Sequence, residues 1–189
     1  HGMPQRYLHA ELGYNSRLDA IQAAILNIKL PKLQDWVEKR KTIADNYTNK
    51  LGNISSIKLP PQALGNVKNS WNQYVIRLVD IINTSPGLGT DRQDFISKLD
   101  APYSARKVFR DLVKEKLLEE GINTIIYYPR PIHLQPAYKK YGYYSVELPV
   151  TETLSSQVLS LPIFPELSLN EQDYVSEVLL RIILDFSGE

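Results

Sequence analysis

The stretch RKVFRDLVKEKLLEEGINTIIYYP (Arg106–Pro129) decides the fold class. Its first half places Phe109, Val113 and Leu117 on one stripe at helical spacing, which predicts a helix over 106–120. Gly121 supplies the stop, because glycine accepts the left-handed conformation that closes a helix. Ile122–Pro129 then switches to β-branched and aromatic residues and predicts a strand. A helix feeding a strand through one glycine is the unit of an α/β domain.

Working outward, WNQYVIRLV (Trp71–Val79) predicts another strand, and VLSLPIFP (Val158–Pro165) a short buried one trimmed by its prolines. The last helix is capped by Asn170 and carries Tyr174, Val175, Val178, Leu179, Ile182 and Ile183 on its apolar face. Upstream, Ser16 with Asp19 forms a capping box, and Leu18, Ile21, Ile25 and Ile28 recur at helical spacing until Pro31 ends or kinks the helix. A second helical pattern runs from Leu33 through Trp36, Ile43, Ala44 and Tyr47 to Leu51, with Gly52 as its stop. Leu59–Ser70 and Asn83–Asp91 are loops by composition, as is the Pro-, Tyr- and Lys-rich connection through Gly142. The expected architecture is a two-layer α/β domain with a small antiparallel or mixed sheet. The first helix pair is too extended to belong wholly to that sheet, and bridges to another domain or another subunit.

The bulk numbers exclude several classes. The chain has 189 residues, 43% hydrophobic and 23% charged, with a net charge of +1. That composition supports a sizeable core and lacks the basic stripe that would recruit nucleic acid. No apolar run reaches the roughly 20 residues of a membrane span, and the greasiest segment, Val178–Leu184, is broken by Arg181. There is no cysteine, which removes disulfides, zinc–thiolate sites and iron–sulfur clusters and makes a reducing cytoplasm the simplest compartment. The sequence opens at His1 with no signal-peptide pattern, a start that suits a processed product or the back part of something longer.

Candidate chemistry is sparse. Gly87–Gly89 is a lone G-x-G without a leading strand, and reads as a loop. The three histidines, His1, His9 and His133, lack metal-ligand spacing, and no serine sits in a nucleophile elbow. Two places stand out. In YYPRPIHLQPAY (Tyr127–Tyr138), the polar-tipped side chains Tyr127, Tyr128, His133, Gln135 and Tyr138 follow a predicted strand. They suit a sugar or a nucleotide base, or they are rings on a proline-stiffened loop that covers the core. In GYNSRLDAIQAAIL (Gly13–Leu26), Asn15 and Arg17 stand beside a helix N-terminus, where free N–H groups favour an anion. The alternative there is an ordinary cap and a surface charge.

HGMPQRYLHAELGYNSRLDAIQAAIL (His1–Leu26), with WNQYVIRL, GINTIIYYPRPIHLQPAY, LPVTETLSSQVLSLPIFPEL and the closing EQDYV, resembles the DegT/DnrJ/EryC1/StrS family of sugar aminotransferases. The resemblance spans almost the whole chain. It implies the small C-terminal domain of an aspartate-aminotransferase-like, fold-type I enzyme dependent on pyridoxal 5′-phosphate. Residues 1–52 become the interdomain connection and long dimer-interface helices, and 53–189 the small α/β domain. The large cofactor domain, with its Schiff-base lysine, lies upstream and is not in this sequence, so the chain alone is expected to be inactive. The resemblance gives Asn15 a role at the cofactor phosphate of the other subunit in a homodimer, with Arg17 beside it. It gives His133, Tyr127, Tyr128 and Gln135 the nucleotide-sugar cleft. The implied reaction moves an amino group, from glutamate, onto a nucleotide-linked 3-keto sugar, with no metal, nucleic acid or membrane involved. Asn83–Phe109 is longer than the family pattern and reads as an insertion. A lysine-less dimerisation or regulatory domain, or a truncated remnant, is the competing reading.

Overall fold

The computed structural model describes residues 14, 17–61, 67–79, 96 and 108–187, and the chain divides after Trp36 into two units. Asn15, Ser16 and nearly all of the expected insertion at 83–109 lie outside the described residues.

The first unit contains helix α1 (Ala20–Lys29), a 3₁₀ turn at Leu30–Lys32 and the start of helix α2 (Leu33–Leu51). α1 begins later than the capping-box reading expects. Asp19 is its N-cap, with extended backbone at φ −69° and ψ 146°, and its carbonyl accepts the N–H of Ala23 at 2.9 Å. As expected, the first helix ends just before Pro31, which sits in the 3₁₀ turn between α1 and α2. The apolar stripe Leu18, Ile21, Ile25 and Ile28 is exposed, so none of these side chains contributes to a core within the described residues.

The second unit holds the core. Strands β1 (Ile57–Lys58), β2 (Tyr74–Leu78) and β3 (Val158–Leu161) form an antiparallel sheet in the order β1-β2-β3, with Ile57 opposite Leu78 and Tyr74 opposite Leu161. The strand period of two sends Tyr74, Ile76 and Leu78 into the core and leaves Val75 and Arg77 half-buried on the other face. The core side receives α2 through Ile43, Ala44, Tyr47 and Leu51, helix α3 (Phe109–Glu119) through Phe109, Val113 and Leu117, and the last helix, Leu169–Ser187, through Val178, Leu179 and Ile183. This is the two-layer α/β arrangement with a small antiparallel sheet.

Several boundaries differ from the sequence reading, each for a local reason. β2 starts at Tyr74 because Trp71 sits in the left-handed region at φ 49°, its N–H donated to Asn69 Oδ1 at 3.2 Å. Of the expected strand 122–129, only Ile125 pairs, exchanging both backbone hydrogen bonds with Ser160. The antiparallel register would next place Asn123 opposite Pro162, which has no N–H to offer. The same proline ends β3 at Leu161. Gly121 does close α3 at φ 77°, with the Ile122 N–H on Leu117 O at 2.8 Å. The expected connection through Gly142 holds short helical turns at Ile132–Leu134, Pro136–Lys139 (α4) and Tyr143–Ser145. A helix absent from the sequence reading follows, α5 (Pro149–Gln157). The terminal helix, α6 (Leu169–Ser187), is capped by Ser168 and not Asn170: the Ser168 N–H and Oγ both donate to Glu171 Oε2, at 2.8 and 2.7 Å.

Tyr47 and Tyr74 lie fully buried with ring centroids 5.2 Å apart, and burial pushes both phenols above their ordinary value of 10.0. The unfolded chain ionises these tyrosines at the ordinary value while the folded chain resists. Their contribution to stability is therefore complete below about pH 10 and is lost as pH rises beyond it. Thermal melts followed by circular dichroism are expected to hold level up to that point and then fall steadily.

Candidate functional site

The segment from Asn123 to Gln135 leaves the sheet edge at the Ile125–Ser160 bridge and is tied down from three sides. His133 and Glu152 of α5 are both buried, with His133 Nε2 2.9 Å from Glu152 Oε1. The same Glu152 oxygen accepts the Leu148 N–H at 3.2 Å, so one carboxylate holds the loop histidine and an N-terminal N–H of its own helix. Arg130 Nη1 donates to Leu134 O at 2.9 Å and to Tyr144 Oη at 3.3 Å, bracing the loop against the 3₁₀ turn at Tyr143–Ser145.

α5 is itself anchored to the core layer. Arg110 of α3, buried, donates from Nε to Asp111 Oδ1 at 2.7 Å and from Nη1 to the carbonyls of Ser155 and Val158 at 3.1 and 3.2 Å. Those carbonyls end α5 and begin β3, where a helix leaves acceptors without intrahelical partners. On the other sheet face, Arg77 donates from Nε and Nη2 to Gln157 Oε1 at 3.2 and 2.8 Å.

With His133 only 8% exposed, its place fits loop positioning better than direct contact with a guest. Truncating its partner, Glu152→Ala, is expected to cost about 1–3 kcal/mol by leaving buried polar groups without that acceptor. Glu152→Gln should cost less, because a carboxamide oxygen still accepts; urea denaturation of both variants checks the order.

The tyrosines are differently placed. Tyr128 is exposed, Tyr127 half-buried, and their rings meet edge to face at 5.4 Å. Gln135 is half-buried at the N-cap of α4. Tyr138 packs edge to face on Tyr143, with ring centroids 5.7 Å apart. Tyr127 lines a groove with Asn72, Gln73, Asn123 and Ser160, residues the sequence reading did not single out. Only the topology joins them, since they come from the entry to β2, the exit of α3 and the end of β3. Glu152 carried a readable signal: Pro149 opens a helix and an acidic residue in the first turn suits its dipole.

A pyridoxal phosphate site needs a lysine held in a desolvated setting. Among the described residues no lysine is buried; Lys114 is half-buried and the others are exposed. The described residues therefore do not form that site by themselves. Arg17 is exposed just ahead of the Asp19 N-cap, where its guanidinium is open to an anion. Among the described residues no cluster of His, Asp and Glu is placed to hold a metal ion, and no helix is long and apolar enough to cross a membrane.

The sequence profile of the DegT/DnrJ/EryC1/StrS aminotransferase family matches residues 1–101 and 90–180. The chain belongs to that family. A Geobacillus stearothermophilus protein named pleiotropic regulatory protein is 36% identical over 188 residues, which is 99% of this chain and 43% of that protein. The dTDP-3-amino-3,4,6-trideoxy-alpha-D-glucose transaminase of Streptomyces venezuelae is 34% identical over 168 residues, 88% of this chain and 36% of the enzyme. The crystal structure of a DegT DnrJ EryC1 StrS aminotransferase from Brucella abortus superposes with a TM-score of 0.70 at 36% identity, over 96% of this chain and 40% of that one. The chain thus spans 36% to 43% of the length of these relatives.

Proposed function

We propose that this chain is the small-domain portion of a pyridoxal-phosphate-dependent aminotransferase that places an amino group, taken from glutamate, on a nucleotide-linked 3-keto sugar. The observation that carries the reading is the family match along nearly the full chain, together with 34% identity to a dTDP-amino-sugar transaminase. The cofactor would supply the electron sink for amino transfer. The lysine that holds it comes from outside the described residues, since none of theirs is buried.

In this reading residues 1–52 connect domains and line a homodimer interface, and residues 53–189 form the small domain. Asn15 and Arg17 contact the cofactor phosphate held across that interface, at the start of α1. Tyr127, Tyr128 and Gln135 meet the sugar nucleotide, and His133 keeps their loop in place through Glu152. The exposed apolar stripe of α1 supports an interface role, because contiguous apolar surface on a stable protein marks a partner site. The enzyme works in the cytoplasm.

The test is an assay of the full-length protein with dTDP- or UDP-linked 3-keto hexoses and L-glutamate. Formation of the amino sugar with equimolar 2-oxoglutarate is the expected outcome; a cofactor-loaded protein that makes neither overturns the reading. Asn15→Ala in the same protein is expected to weaken cofactor retention, and unchanged retention removes the phosphate role. A second reading, a non-catalytic dimerisation or regulatory domain, is favoured by the name of the Geobacillus relative. It predicts no turnover with any keto sugar.

A further inference from the structure

A second groove, of about 200 Å³, lies between helix α2 and the residues that lead into β2, and it shares no lining residue with the groove beside Tyr127. Trp71 lines it. That side chain is 4% exposed, and its indole N–H makes no hydrogen bond among the described residues. A buried tryptophan ordinarily finds an acceptor for that N–H. Trp71 is also strained: its φ of 49° lies in the left-handed region, where a bulky residue is an outlier. Such strain persists only where the surrounding structure fixes it, and it clusters at binding sites.

The charges around the indole are of both signs. Lys68 is exposed and makes no ion pair or hydrogen bond among the described residues. The α2 wall carries Glu38 and Asp45, with Lys41 already bound to Asp45. Two carboxylates and two ammonium groups leave the lining with no net charge. A simple anion is repelled by the first pair and a simple cation by the second, whereas a guest carrying both charges pairs with each. Val37 and Val67 add aliphatic surface, and Val67 is 68% exposed, so an apolar group laid on it is favoured. Liquid water takes about 30 Å³ per molecule, so the groove holds about seven waters, the bulk of one small metabolite and not of a nucleotide.

We infer that this groove binds a free aliphatic α-amino acid. Its carboxylate takes the Trp71 N–H and the Lys68 ammonium, its α-ammonium takes Glu38, and its branched side chain lies on Val37 and Val67. The site stands whether or not the proposed amino transfer occurs. None of its residues is among those given to cofactor or sugar, and its amino acid is a bound guest, not the amino donor.

Binding is read on the full 189-residue chain from the indole N–H signals in nitrogen–proton correlation NMR. The sequence holds two tryptophans, Trp36 and Trp71, so Trp36→Phe assigns both signals. L-leucine is expected to move the Trp71 signal downfield in a saturable way, as its N–H gains an acceptor. Isocaproate lacks the ammonium and isoamylamine lacks the carboxylate, and each should bind about 3- to 5-fold more weakly than leucine, the worth of one exposed ion pair. Lys68→Met and Glu38→Gln should each weaken leucine binding by a similar factor. Both side chains are exposed, so the rest of the spectrum should keep its dispersion. A Trp71 signal that leucine does not move, isocaproate or isoamylamine binding as tightly as leucine, or unaltered affinity in both variants each overturns the site. N-acetyl-L-leucine tests a chain terminus as the source of the carboxylate. Its binding as tightly as leucine would give the groove to a polypeptide C-terminus and overturn the free amino acid.

Discussion

Arg110→Leu is expected to be among the most damaging single substitutions in this chain, costing about 3–5 kcal/mol, a large share of the roughly 5–15 kcal/mol that keeps a domain folded. The guanidinium is 3% exposed and Asp111 2% exposed, and Nε–H donates to Asp111 Oδ1 at 2.7 Å. Removing the cation strips a buried carboxylate of its counter-charge and leaves the Ser155 and Val158 carbonyls without their donor. The joint between α5 and β3 should loosen first, and with it the support for Glu152. Replacing both partners, Arg110→Leu with Asp111→Leu, should cost less than the sum of the two single changes, because no charge is then left buried. Urea denaturation of the three variants gives the cycle. Strict additivity would mean that the pair is not acting as a unit.

Tyr47→Ala should cost a similar amount, about 3–5 kcal/mol, as large aromatic truncations in cores do. Tyr47 is fully buried on α2, stacks at a tilt on Tyr74 of β2, and donates its hydroxyl to Pro162 O at 3.0 Å. It therefore holds helix, sheet and the end of β3 together. Tyr47→Phe keeps the packing and removes only the hydrogen bond, an expected loss of about 1–3 kcal/mol because Pro162 O is left short of a donor. If Phe proves as damaging as Ala, the hydroxyl and not the ring is the main tie.

These two residues also mark the limit of what could be read in advance. Phe109, Val113 and Leu117 announced α3 through their period, and Gly121 announced its end, because both signals are local. Tyr47 was visible as a core position for the same reason. The pairing of Ile125 with Ser160 was not, since it depends on Pro162 opposing Asn123 across the sheet. α5 was missed because Pro149–Gln157 is short and weakly patterned, and its stability comes from Arg110 and Arg77, which lie far away in sequence. Tyr127 was legible as a binding candidate on a loop. Asn72, Gln73, Asn123 and Ser160 were not, as neutral polar residues carry no motif until the topology gathers them. Glu152 was legible only as an acidic residue in the first turn after Pro149; its tie to His133 was not.

If this chain serves a pyridoxal-phosphate aminotransferase as proposed, the Schiff-base lysine lies on a domain beyond these 189 residues. Borohydride reduction of the protein as its native cell makes it, followed by peptide mass spectrometry, tests this most directly. The expected result is a pyridoxyl group on one lysine beyond these 189 residues, in a polypeptide heavier by a cofactor-binding domain. A pyridoxyl group on any lysine of these 189 residues, or an unmodified protein of the mass of this chain alone, would contradict it.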